Sequence, residues 1–334
     1  MHILNITNGD SAADILKAST VPGDVLPWRD PMHHGPFPAG LSLDELRPLR
    51  ARYLAGPDGN VEAAERGFRL RDEQLLRSQD YDGVILWFEH DLLDQLQILQ
   101  ILDWFAEANV KGVDLEIICI DRFEGMDGFR GLGELDPVQM ASLYDARDRV
   151  TEEMIAQAQA GWEAFRSSDP TDVLAFLDRD LTCLPFLRTA LLRHLQELPS
   201  VTNGLSRTEQ QLLALVGDGV QGPVELFQRN MDLETALFIG DWRTYSVLDG
   251  LCRAGLLAVG AAAFWYPPTS GDDRRAFRNQ RFGLTDLGQR VRSGKADAAE
   301  LMERDDWLGG VHVRSGAPYW AWDAEVSRPV LRTP

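Results

Sequence analysis

The chain opens on a short apolar run from His2 to Thr7, turns polar at Asn8, Gly9, Asp10 and Ser11, and then shows helical spacing at Ala12, Ala13, Ile15 and Leu16. That order predicts a strand, a turn and a helix. A second short strand is predicted over 23–27. It leads into Trp28-Arg29-Asp30-Pro31-Met32-His33-His34-Gly35-Pro36, where two prolines exclude a helix interior. Ser42 with Glu45 three positions on is the pattern of a reciprocal helix cap, so a helix is predicted over 43–54, with another over 66–79. The run Val84-Ile85-Leu86-Trp87-Phe88 reads as a buried strand ending at Glu89-His90-Asp91, followed by a helix over 92–108 and a strand over 113–120.

Strands alternating with helices predict an α/β fold with a mostly parallel open sheet in an N-terminal domain over 1–130. Residues 125–133 carry four glycines and read as a loop. Asp136-Pro137 predicts a helix running through Phe165, Asp169-Pro170 repeats the start signal, and a further helix covers 185–198. These make a helical segment over 131–200 packed on the first domain. The polar stretch 199–204 is the expected boundary. Beyond it, helices over 206–216, 223–229 and 241–254, an apolar strand, a loop holding Arg274, Arg275, Arg278 and Arg281, and Phe282-Gly283-Leu284 give a winged-helix-like order for a domain over 205–334 with a C-terminal extension.

Composition narrows the function classes. With 52 acidic and 33 basic residues the formal charge is −19, a field that repels phosphate backbones and anionic lipid. Nucleic acid is therefore a disfavoured partner. Between residues 201 and 260 four arginines face seven acidic residues, so the winged-helix-like part is no exception. The arginines over 274–281 read as a solvated or internally paired cluster, and the aromatic-rich end around Trp307, Trp320 and Trp322 as packing. Cys119, Cys183 and Cys252 have no CxxC partner and read as buried thiols of a reducing compartment. The N-terminus shows no export signal, and the longest apolar stretch, over 254–266, is shorter than the roughly 20 residues of a spanning helix. A cytoplasmic protein without membrane attachment is expected.

In an open parallel sheet ligands bind beyond the carboxyl ends of the strands. Polar residues gather at those expected ends. The turn of Asn8, Gly9, Asp10 and Ser11 offers backbone amides to an anion, with Asp10 or Ser11 capping the helix, or it is an ordinary capping turn. Asp30 and His34 follow the second strand; His34 is a proton carrier or anion ligand, or part of a rigid loop in which Trp28 packs. Glu89 and His90 follow the third strand. Asp91 is expected to cap the next helix with Asp94 near it, and Gln95 to face the same ligand. His34 or His90 would move the proton, with Asp30 or Glu89 orienting the imidazole. A mixed oxygen and nitrogen metal site is open to these residues, but no compact metal motif fixes its ligands. GxGxxG and GxxxxGK[ST] are absent, so neither a classical dinucleotide fingerprint nor a nucleotide triphosphate loop is supported and the cofactor stays open, and without GxSxG a covalent hydrolase of that type is disfavoured.

Thr7-Asn8-Gly9-Asp10-Ser11, Trp28-Arg29-Asp30 with His34-Gly35-Pro36, and Trp87-Phe88-Glu89-His90-Asp91 with Asp94-Gln95-Leu96 resemble a bacterial family called domain of unknown function 1835. Gly204-Leu205-Ser206-Arg207-Thr208-Glu209, Leu284-Thr285-Asp286-Leu287-Gly288 and Trp307-Leu308-Gly309-Gly310-Val311-His312 are similar to its accompanying C-terminal domain. The resemblance implies architecture and no mechanism. Two functions stay open: a hydrolase or group transferase acting on a small anionic, phosphorylated or nucleotide-like substrate at the strand ends, and a ligand-sensing regulator or adaptor whose winged-helix-like part binds protein or, less readily, DNA. The expectation specific enough to be wrong is that Asp30, His34, His90 and Asp91 border one accessible pocket floored by residues 8–11.

Overall fold

The computed structural model describes residues 2–333 apart from 57–58, 109, 111, 237 and 261–270. The chain forms two units, Met1–Leu191 with Trp307–Val311, and Leu192–Asp306 with His312–Pro334.

The first unit opens with β1 (Ile3–Thr7), α1 (Asp10–Ala18), β2 (Asp24–Pro27), β3 (Gly35–Pro36), α2 (Leu43–Ala55) and α3 (Val61–Leu76). β4 (Gly83–Glu89), α4 (Leu92–Ala108) and β5 (Asp114–Ile120) follow. The main sheet has the order β2-β1-β4-β5-β6, parallel except for its last pair, where β6 (Asp148–Arg149) runs antiparallel to β5. Every residue of β4 is buried, as an interior strand covered on both faces requires. The chain leaves β1 toward β2 on one side and leaves β4 toward β5 on the other. The sheet therefore reverses its winding between β1 and β4, which opens a crevice beyond their carboxyl ends.

Local signals account for most helix starts. Ser42 and Glu45 form the reciprocal cap of α2, and Asp136 with Gln139 does the same for α5 (Pro137–Ser142). The single helix expected from 137 to Phe165 is instead two. Between α5 and α6 (Glu152–Arg166) the chain stretches into β6, where Glu116↔Arg149 and Ile117↔Asp148 pair, and Arg147 Nε bonds Glu116 Oε2 at 2.8 Å. Thr151 then caps α6 through the Met154 amide. Sheet pairing outweighed helical periodicity there. α7 (Thr171–Leu177) follows, and the division between the units falls inside α8 (Leu187–Leu195).

The second unit contains α9 (Arg207–Gly217), α10 (Pro223–Asp232), α11 (Asp241–Arg253), β7 (Leu257–Val259), α12 (Gly271–Arg278), β8 (Phe282–Leu284) and α13 (Asp286–Arg292). Leu212, Leu226, Leu248, Leu251 and Phe282 share its core, and β7 pairs antiparallel with β8. The arginine-bearing loop expected over 274–281 begins as helix α12, with Arg275 and Arg278 in its last turn, where the helix dipole favours cations. Residues 261–266 of the expected apolar stretch lie outside the described residues. Of the remaining strands, β9 (Asp305–Gly309) pairs in parallel with β3 and brings Trp307–Val311 into the first unit. β10 (Val311–Arg314), β11 (Tyr319–Asp323) and β12 (Arg328–Arg332) complete the chain, and β11 pairs antiparallel with β12. Among the described residues no helix is long and apolar enough to cross a membrane.

Candidate functional site

The crevice between β1 and β4 is built from three short segments. β1 delivers Asn8, whose Nδ2 donates to Glu89 Oε1 at 3.2 Å and to Asp94 Oδ2 at 2.9 Å. β4 ends on Glu89, and the first turn of α4 supplies Asp94. Asp91 caps α4 by accepting from the Asp94 amide at 2.9 Å, the bond expected of it. Glu89, Asp91 and Asp94 each offer a carboxylate oxygen within 4.8 Å of the others, and the three residues are only 3%, 4% and 0% exposed. The segment after β5 closes over them: Leu132 N donates to Glu89 Oε1 at 2.5 Å, and a Cβ on Gly131 would come within 2.4 Å of Glu89 Oε2.

Burial and mutual repulsion set the charge of this cluster. Desolvation, and then the charge of Asp91, push Glu89 up to about 8 against the pull of the Leu132 amide and Asn8. Burial pushes Asp91 up to about 6, opposed by the Asp94 amide. Asp94 is held well above the carboxylate range by burial and by the charges of Glu89 and Asp91. Its Oδ1 has no hydrogen-bond partner among the described residues. A set of three oxygens at this spacing suits a hard divalent cation such as Mg²⁺, Mn²⁺ or Ca²⁺.

The other expected residues lie around this centre rather than in it. Asp30 is the counter-ion of Arg50: both are 2% exposed, with Nη2 to Oδ1 at 2.6 Å. Arg50 also donates to the carbonyls of His34 and Pro31 at 2.9 and 3.3 Å, so the pair fixes the 28–36 loop. His34 is half-buried with Nδ1 3.3 Å from the Tyr53 hydroxyl, and its ring meets His33 edge-on. His90 stands beside Asp91 with its ring 6.0 Å from Phe186, and its Nδ1 has no partner among the described residues. Gln95 turns to the end of β4, donating to the Glu89 carbonyl at 2.7 Å and approaching Cys119 Sγ at 3.3 Å. Burial pushes the Cys119 thiol up, so it stays protonated. Trp28 packs, fully buried, with Nε1 on Gln100.

Neither Asp10 nor Ser11 caps α1. Gly9 is the cap residue and has no side chain to make a capping bond, while the Asp10 carboxylate, already inside the first turn, pairs with Arg29 at 2.6 Å.

Asp94, Arg50 and the Leu132 amide are the members that sequence reading missed as site components. Asp94 carried a signal, since it lies three residues from Asp91 and therefore on the same side of one helical turn. Leu132 carried none, being 43 positions from the carboxylate it bonds. No family model matches the chain, so the resemblance to domain of unknown function 1835 rests on its motifs alone, and no curated protein is similar enough to count as a relative.

Proposed function

We propose that the Glu89, Asp91 and Asp94 cluster binds a divalent cation and is the centre of a hydrolase or group transferase acting on a small phosphorylated or nucleotide-like anion. One observation carries the reading: three buried carboxyl groups converge where the sheet reverses its winding, and burial is the first cause that pushes each of them up. Buried carboxylates need protons or a cation to balance them. A divalent ion would take the place of the proton that the Asp91 and Asp94 carboxyls share and draw a phosphoryl oxygen to the same point. His90, adjacent to the cluster, is then the group placed to carry a proton, while Asp30 and His34 shape the neighbouring loop. Substrate entry requires the segment at Gly131 and Leu132 to withdraw from Glu89.

Calorimetric titration with MnCl₂ at pH 7, in two buffers of different ionisation enthalpy, tests this. Binding with release of protons from the cluster is expected, since cations displace protons from carboxyl ligands. Asp94→Asn should weaken binding, and a panel of phosphate esters and nucleotides should be turned over only with the metal present. Failure of Mn²⁺ and Mg²⁺ to bind overturns the reading.

A second reading, a regulator or adaptor with a winged-helix-like second unit, is favoured by Trp242 standing 58% exposed in the first turn of α11. An exposed tryptophan suits a protein partner better than DNA in a chain of this charge. Loss of partner capture by Trp242→Ala, with turnover absent throughout the panel, would select it.

A further inference from the structure

A second cavity, of about 440 Å³, opens beside β2 at the edge of the sheet. Its walls include Pro27 and Trp28 at the end of β2, Arg29, Lys17 of α1, and Phe68 and Arg71 of α3. None of the carboxyl cluster lines it. The volume falls among those of small-molecule sites, and the mixture of flat apolar surface with a few polar groups is their usual lining.

Lys17, Arg29 and Arg71 are cationic and no lining residue is acidic, in a chain of charge −19. Acidic neighbours outside the lining answer these charges incompletely. Lys17 Nζ is 3.4 Å from Asp14 and Arg29 Nη2 is 2.6 Å from Asp10, both exposed pairs. Asp72, buried, is shared between two guanidiniums, Arg71 at 2.7 Å and Arg47 at 2.9 Å, and Arg47 has a further partner in exposed Asp44. Arg71 commits Nε and Nη2 to Asp72 Oδ1 and lies 4.2 Å over the Trp28 ring. Its Nη1 has no hydrogen-bond partner among the described residues. Buried donors are seldom left so.

Two backbone features agree. Arg29 holds a φ of 56°, a left-handed conformation that a long side chain adopts at a cost and that concentrates at ligand clamps. Gly67 sits inside α3 on the cavity wall, where glycine weakens a helix, yet a Cβ there would meet nothing within 4 Å.

We propose that this cavity is a binding site for a small molecule with a compact anionic head, phosphate or carboxylate, on a flat apolar body. The head sits among Lys17, Arg29 and Arg71, whose guanidinium already covers the Phe68 ring at 4.8 Å, and the flat part lies along the apolar wall at Leu26, Leu54 and Leu70. The site is independent of the metal reading above.

Phenyl phosphate, benzoate and inorganic phosphate are the probes, titrated calorimetrically into the full chain with EDTA present, so that the carboxyl centre holds no cation. Phenyl phosphate or benzoate should bind measurably, and whichever binds tighter identifies the head group. Inorganic phosphate, lacking the flat body, should bind at least about tenfold more weakly. Arg71→Gln should weaken the aromatic probe by about tenfold or more, the scale of a lost charge-assisted bond. Because Arg71 is also packed against Asp72, Gly67→Leu is the second variant: it fills the cavity from a position with open space and strengthens the helix, so binding should vanish while the unfolding midpoint holds or rises. Glu89→Gln should bind the probe as wild type does. No binding of either aromatic probe to wild type, or equal binding by Gly67→Leu, overturns the proposal.

Discussion

Glu89→Gln should reduce the protein's loss of stability between pH 6 and pH 8 by roughly 2 kcal/mol. An unfolded glutamate ionises near 4.5, whereas in the fold Glu89 holds its proton up to about 8. Between those values the native state keeps a proton that the unfolded state has released, so stability falls as pH rises, by about 1.4 kcal/mol per pH unit. The benefit of the neutral carboxyl is complete below 4.5 and gone once pH passes 8. From pH 6 to 8 the wild type should lose roughly 2 kcal/mol at this one group, since the slope flattens as Glu89 becomes half ionised near pH 8. Starting at pH 6 leaves out most of Asp91, which is pushed up only to about 6. Glutamine keeps an acceptor for Asn8 and the Leu132 amide and never ionises, so the variant should fall less steeply over the same range, keeping the part that protonated Asp94 contributes, and its stability relative to wild type should rise from pH 6 to pH 8. Urea unfolding of both proteins in EDTA at several pH values, followed by the fluorescence of buried Trp28 and Trp87, reads this directly. Parallel pH profiles for the two proteins would refute the account of the cluster. Adding Mg²⁺ at pH 8 should restore the wild type and leave the variant unmoved.

Arg50→Met should destabilise the first unit by about 3–5 kcal/mol, because it leaves Asp30 buried without its counter-ion and frees the carbonyls of Pro31 and His34; a urea midpoint close to wild type would contradict this. Gly309→Ala should cost about 2–3 kcal/mol, since φ there is 63° and a Cβ would stand 2.3 Å from the Phe165 carbonyl oxygen; thermal unfolding followed by Trp162 fluorescence measures it.

How far the sequence reached depends on the range of the interactions involved. Helix starts at Ser42, Asp136 and Ser206 were legible because a cap is a contract between residues three positions apart. The central strand β4 was legible because burial on both faces demands an unbroken apolar run. The break between α5 and α6 was not, since it is caused by Glu116 and Ile117 on a strand 30 residues earlier. In the site, Asn8, Glu89 and Asp91 could be placed together from the rule that parallel strands end on one side. Asp30 could not be separated from them, because its partner Arg50 lies on a helix whose docking no local pattern announces. The same blindness applied to Gly131 and Leu132, which have no polar side chain of their own to attract notice.

The pairing of β3 with β9 has a consequence for how the protein is made. Gly35 and Pro36 wait for Leu308 and Gly309, and Phe37 donates its amide to the Gly309 carbonyl, so the first unit lacks a strand until the ribosome has passed residue 311. At about 5–20 residues per second, the chain between Leu191 and Trp307 takes on the order of 6–25 s to synthesise. Through that interval the strand edge of β3 and the Phe165 surface under Gly309 stand open to other nascent chains. A fragment ending near residue 191 would keep them open permanently, so expressing the first unit alone calls for residues 307–311 to be spliced back in.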